Sequence, residues 1–197
     1  MKMHRLLLLL MTCSSMLSCV AQRIPTTSLA PDEPVFPIVE TTEYTGVIVP
    51  EDYLGRKIPD PRRIERIIGI PAEGYWTPTP RDIERAEACI IRFLKDSQVV
   101  QSANEGAVEA GVRPSVPANP EIPKIAAHLH AYGRQYVGLI QSGDRRVLCN
   151  LFPKPLAEDK SWRSHIVVVD DGGFWYWRIV YDPRDDTCNQ FSSNGYA

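Results

Sequence analysis

The sequence predicts an α+β fold: a curved antiparallel sheet of four to five meandering strands packed on one or two helices. Three observations lead there. A well-capped helical pattern starts at Pro80, a second helical spacing runs from Glu121 to Tyr132, and nearly everything after Arg134 reads as short strands between turn signals.

The 197-residue chain has a formal net charge of -2, which suits a single domain with a tail and gives no electrostatic footprint for nucleic acid. Lys2, His4 and Arg5 precede the apolar run Leu6 to Met11 and a stretch of small and apolar residues ending at Cys19. This is the layout of a signal peptide over residues 1–18, too short for a spanning helix of about 20 apolar residues. Met16-Leu17-Ser18-Cys19 resembles the lipobox of bacterial lipoproteins, which implies that Cys19 becomes the acylated, palmitate-bearing first residue of the mature chain. Cys19-Val20-Ala21 also fits an ordinary signal peptidase site, which would leave a soluble product. The expected address is therefore the bacterial cell envelope, lipid-anchored at the outer membrane, with a periplasmic or secreted protein as the alternative.

From Cys19 to Pro50 the Pro-, Thr- and Ser-rich composition reads as a disordered, lipid-anchored tether, with at most a short edge strand at Glu43 to Val49. Residues 51–78 form a proline-rich arm whose apolar groups need cover, with a turn of helix from Pro61 to Ile68. The α+β domain spans 79–197. Thr79 is a good N-cap, Pro80 suits the first helical position, Asp82 completes a capping box and Pro78 can staple onto Ile83. Ile83, Ile90, Phe93 and Leu94 continue the helical spacing to about Lys95, with Ile83, Ile90 and Leu94 facing the sheet and Cys89 on the flank as a small buried hydrophobe.

Ser97 to Pro120, punctuated by Gly106, Gly111, Pro114 and Pro117, reads as a long surface loop, and Glu121 to Tyr132 as a helix that stops at Gly133. Arg134 to Gln141 and Arg145 to Phe152, joined by Ser142-Gly143-Asp144, make a first hairpin. Ile166 to Val169, the turn Asp170-Asp171-Gly172-Gly173 and Phe174 to Tyr181 make a second, and Thr187 to Ser193 a last strand. The second hairpin is apolar on both faces, with Phe174 and Tyr176 opposite Trp175 and Trp177, so it should lie centrally and be covered on both sides. A curved meander wrapped on a helix in this way resembles cystatin-like folds. Of the cysteines left after export, Cys149 and Cys188 sit in strands; a bridge between them, one pair with a free thiol, or three reduced thiols all fit the spacing.

Four motifs resemble a group of small bacterial exported proteins and lipoproteins of unassigned activity: Tyr75-Trp76-Thr77-Pro78-Thr79, Arg134-Gln135-Tyr136-Val137-Gly138, Asp170-Asp171-Gly172-Gly173, and the ending Asn194-Gly195-Tyr196-Ala197. The resemblance spans Tyr75 to Ala197 and implies fold and address, with no catalytic residue.

The sharpest functional signal is the aromatic set Phe174, Tyr176, Trp175 and Trp177. If helices cover one sheet face, the rings on the other meet either the proline-rich arm or an envelope protein or glycan. Asp170, Asp171, Asp182, Asp185 and Asp186 lack EF-hand spacing, so turn chemistry accounts for them and no metal is expected. His128, His130 and His165 lack zinc-ligand spacing, and Cys89 or Cys149 with a later His and Asn189 lacks a protease signature. Gln98-Val99-Val100-Gln101-Ser102 resembles the wedge loop of cystatins by coincidence, since Ser102 replaces the glycine, the stretch follows a helix and does not join two strands, and the second Pro-Trp motif is missing. No enzyme activity and no cofactor are expected. A structural or binding role in the envelope is the leading reading, and a small-ligand protein or enzyme with a pocket between helix and sheet is the alternative.

Overall fold

The computed structural model describes residues 35–109, 119–155 and 158–195. The signal peptide, Cys19 and the first part of the tether, together with 110–118 and Tyr196-Ala197, lie outside the described residues. In order, the elements are β1 (Ile38–Glu40), β2 (Thr45–Val49), α1 (Glu51–Lys57), α2 (Ile64–Ile68), β3 (Gly74–Trp76), α3 (Pro80–Glu109), α4 (Ile122–Ala127), β4 (Tyr132–Gln141), β5 (Asp144–Pro153), β6 (Trp177–Asp182) and β7 (Thr187–Ser193).

The class is α+β, as expected, but the sheet is mixed and has seven strands in place of a four- to five-stranded antiparallel meander. Its path is β1-β2-β4-β5-β6-β7, and among the described residues only β2 against β4 is parallel. The ten residues of β4 pair along their whole length with β5. The opposite edge of β4 is shared: β2 lies beside Gly133 to Val137, and β3, running the other way, beside Gly138 to Ile140. Gly138 is needed at that junction, because a Cβ there would collide with the Trp76 carbonyl.

The tether assignment fails for its last part. Phe36, Val47 and Val49 are buried, and β2 is an inner strand, because its β-branched residues supply the cover that the polar composition upstream lacks. Val47 and Val49 point to one face of the sheet and Ile48 to the other, so each face receives its own core.

One core lies under α3 and α4 and includes Ile83, Ile90, Leu94, Ile125, Tyr136, Cys149 and Trp177. The other is closed by the proline-rich arm, where Tyr53, Leu54, Ile58, Ile64 and Ile68 cover Val137, Leu139, Leu148 and Val180. The arm thus crosses the second face through α1 and α2, with Gly69 ending α2 in the left-handed region (φ 69°).

Thr79 and Asp82 form the reciprocal cap at the start of α3: the Asp82 carboxylate accepts from Thr79 N at 2.8 Å and Thr79 Oγ1 at 2.6 Å, and Asp82 N donates to Thr79 Oγ1. The helix does not stop at Lys95. It runs on to Glu109, so half of the expected surface loop is helical. The first hairpin closes through Ser142 (φ 51°) and Gly143 (φ 79°), both left-handed as its two-residue turn demands. The second hairpin is absent. Ile166 to Val169 pairs with no strand, and a 3-10 turn over Gly173–Trp175 leads directly into β6, so β4 and β5 are the central pair.

Candidate functional site

The 3-10 turn regroups the aromatic quartet. Phe174 and Trp175 lie side by side (centroids 4.8 Å) on the α4 side, Trp177 is buried beneath α3, and Tyr176 packs half-buried against the arm-side core. The strand pairing of Phe174 with Tyr176 against Trp175 with Trp177 is therefore corrected. Rings continue from His128 (5.3 Å from Trp175) through Trp175, Tyr132, Trp177 and Phe191 to Phe93, with neighbouring centroids no more than 5.9 Å apart. Tyr132 Oη donates to the Phe174 carbonyl at 2.8 Å, and the Lys124 ammonium lies 5.6 Å from the Phe174 ring. Trp177 Nε1 is buried with no acceptor among the described residues.

The row ends at a groove of about 510 Å³ between α3, the start of α4 and β7. Cys89 and Cys188 are joined there by a disulfide, with Cα atoms 5.9 Å apart. The strand pair Cys149 and Cys188 is not the bond that forms, because Cys149 sits fully buried on β5 as a free thiol. Around the disulfide, Arg85 and Arg92 of α3 hold Asp186 at 3.2 Å and 2.8 Å, and Phe93 stacks on Phe191. Tyr181 Oη also donates to Asp186, and that hydrogen bond is the leading cause that lowers the Asp186 carboxyl below its ordinary range. Arg85, Cys89 and Arg92 are spaced by four and three residues, so one helix face carries the whole clamp. That spacing was the available signal in the sequence, visible only once Asp186 and Cys188 are known to face it.

Of the other turn carboxylates, Asp182 and Asp185 are taken up by nearby cations. Asp182 holds Arg146 at 3.0 Å, and Arg184 bonds Asp144 at 2.7 Å and Asp185 at 3.2 Å. Among the described residues, no group of three or more His, Cys, Asp or Glu side chains is placed to hold a metal ion. His128 Nδ1 lies 2.8 Å from the Lys124 carbonyl, while His165 Nδ1 lies 2.9 Å from Ser164 Oγ, so the histidines serve separate local contacts. Gln98 to Ser102 lies within α3 and forms no wedge loop.

The buried polar groups belong to the scaffold. Glu87 on α3 accepts from Arg134 Nε at 2.9 Å and from Tyr136 Oη at 2.7 Å, while Arg134 also donates to the Tyr132 and Leu129 carbonyls. Burial raises the Glu87 carboxyl despite Arg134, and burial pushes the Cys149 thiol well up, away from reactivity. On the other face, Gln135 Nε2 donates to the Trp162 and His165 carbonyls (2.7 Å and 2.6 Å), and its Oε1 accepts from Val167 N at 2.8 Å. Asn150 adds a bond to the Val167 carbonyl. These two amides replace the missing strand partner of the segment after Trp162.

All four sequence motifs resolve into such supports. Trp76 Nε1 reaches the Leu139 and Arg146 carbonyls, Thr77 Oγ1 accepts from Glu51 N, and Thr79 caps α3. Arg134, Gln135, Tyr136 and Gly138 hold, in turn, Glu87, the segment after Trp162, Glu87 again and β3. Asn194 Nδ2 donates to the Val169 and Asp171 carbonyls, and Gly173 N donates to the Gly195 carbonyl, so the turn motif and the C-terminal motif clasp each other. No protein-family model, curated relative or solved structure matches this chain.

Proposed function

We propose that this chain is an exported, membrane-tethered binding module of a bacterial cell envelope, with no catalytic role. The observation that carries the reading is the filled interior. The space between α3 and the central strands β4, β5 and β6, where an enzyme of this layout would hold substrate, is occupied by Ile83, Ile90 and Leu94 packed with Tyr136, Cys149 and Trp177, and the groove opens outside it at the β7 edge. Glu87, Arg134 and Tyr136, the charged pair and phenol buried there, are bonded to one another. The Cys89–Cys188 disulfide supports export, since such bonds persist in oxidising compartments. In this reading the tether is the acyl group on Cys19; among the described residues no helix is long and apolar enough to cross a membrane.

The β4 to β7 meander carrying α3 across one face supports the cystatin-like description, to which the parallel strand β2 and the arm are additions. The resemblance to exported proteins and lipoproteins belongs to the same proposal, and the expected partner is an envelope protein or glycan. Phe174, Trp175 and Tyr176 are the predicted aromatics left partly exposed, and Phe174 and Trp175 lie side by side to meet it. Crosslinking of the full-length protein in its native membrane, beside Cys19→Ala, tests this. A defined partner captured by the anchored form and lost with Cys19→Ala is expected; capture of nothing by either form, with both expressed and folded, contradicts it.

A further inference from the structure

We propose that the groove between α3 and β7 binds a cationic amphiphile: a ligand with an apolar body of aromatic size and one amine or guanidinium group. This inference goes beyond the binding-module reading, because the groove lies apart from the Phe174 and Trp175 surface.

Size comes first. At about 510 Å³ the groove falls within the range of roughly 300–1,000 Å³ typical of small-molecule sites. Its apolar lining comes from three elements, with Phe93 and Val100 on α3, Ile122 on α4 and Phe191 on β7, and the Cys89–Cys188 bond contributes polarisable sulfur. Flat rings and sulfur favour an aromatic body over a sugar, whose hydroxyls would need more acceptors than this lining holds.

Charge then selects the head group. The charged lining residues are Arg92, Asp96 and Asp186. Arg92 is committed to Asp186, whose two carboxylate oxygens are shared among Arg85, Arg92 and Tyr181. Asp96 has no cation within ion-pair distance among the described residues and stands one helical turn from Arg92 on the groove wall. A ligand cation meets a vacant carboxylate here, whereas a ligand anion meets the same carboxylate and finds the arginine already engaged. The disulfide and the two arginine bonds hold the walls together before any ligand arrives, so little ordering accompanies binding.

The test is calorimetric titration of the full chain with 4-phenylbutylamine, with 4-phenylbutyrate, and with a blocked phenylalanyl-lysine dipeptide. The amine should bind, and the butyrate should bind at least about fivefold more weakly. Asp96→Asn should weaken the amine about threefold, the scale of an exposed ion pair, and Val100→Trp should abolish binding by filling the groove. If the dipeptide matches the amine, the cation is a peptide side chain. If only the free amine binds, the ligand is a small molecule. Equal affinity for amine and butyrate, an amine affinity unchanged in both variants, or no binding of either cationic probe at millimolar concentration overturns the proposal. None of these outcomes alters the membrane crosslinking result, so the site and the module stand or fall separately.

Discussion

Gln135 shows what a single buried amide can do. Three of its four hydrogen bonds fix a stretch of backbone that runs against the sheet without joining it. Removal of the amide leaves two carbonyls and one N–H without their partner, each costing on the order of 1 kcal/mol or more. Gln135→Ala should therefore lower stability by about 3 kcal/mol, read as a shift in the urea midpoint at unchanged slope. A shift below about 0.5 kcal/mol would show that solvent replaces the amide. Glu87 makes a prediction with the opposite chemistry. Because its folded carboxyl is raised, the unfolded chain releases that proton first, and stability should fall as pH rises from about 4.3, where an ordinary glutamate titrates, towards the raised folded value. Asp186 runs the other way: its carboxyl is lowered, so its contribution is present above its ordinary range and lost as pH falls through it. Glu87→Gln should erase the first trend and leave Arg134 buried without a counter-charge, lowering stability by about 3 kcal/mol or more. A pH profile of unfolding unchanged by that substitution would contradict the assignment.

At the scale of elements, α3 and β7 are held by the disulfide, by Arg85 and Arg92 on Asp186, and by the Phe93–Phe191 stack. The closed loop spans 99 residues, long enough for a disulfide to contribute about 4 kcal/mol through the unfolded chain. Double substitution Cys89→Ser/Cys188→Ser, which avoids mispairing with Cys149, should lower the unfolding free energy by about that amount while the remaining contacts keep β7 in place. A loss below about 1 kcal/mol would mean that the clamp is set by the ion pairs and rings alone. Elements specified locally were legible in the sequence: the Thr79–Asp82 cap and the Ser142-Gly143 turn each need only neighbours. The length of α3 was not, because Gly106 suggested a break, yet it stands in open space where a helix tolerates it for about 1 kcal/mol. Equally hidden was the absence of a strand at Ile166 to Val169. Its β-branched run suits a strand, but Gln135 and Asn150 satisfy its backbone from the side.

For the whole molecule, the apolar character of both faces was readable from Ile166 to Tyr181, and with it the need for two covers. That the proline-rich arm provides the second was one of two readings open to the sequence. Deciding between them required knowing that β2 enters beside β4 and so turns the arm across the face. The aromatic quartet was found, but its division among the two cores and the half-exposed turn depends on the 3-10 turn that precedes β6. The groove was not legible, since it is assembled from α3, α4 and β7, which meet only in the fold. That the chain is an exported, oxidised and tethered module is checked by the intact mass of the protein recovered from cells, with thiols alkylated before and after denaturation. A chain beginning at Cys19 with an acyl adduct is expected, with the Cys89–Cys188 bond intact and one thiol, Cys149, that reacts only after denaturation. An unprocessed chain beginning at Met1, with Cys89 and Cys188 alkylated in the native state, would contradict it.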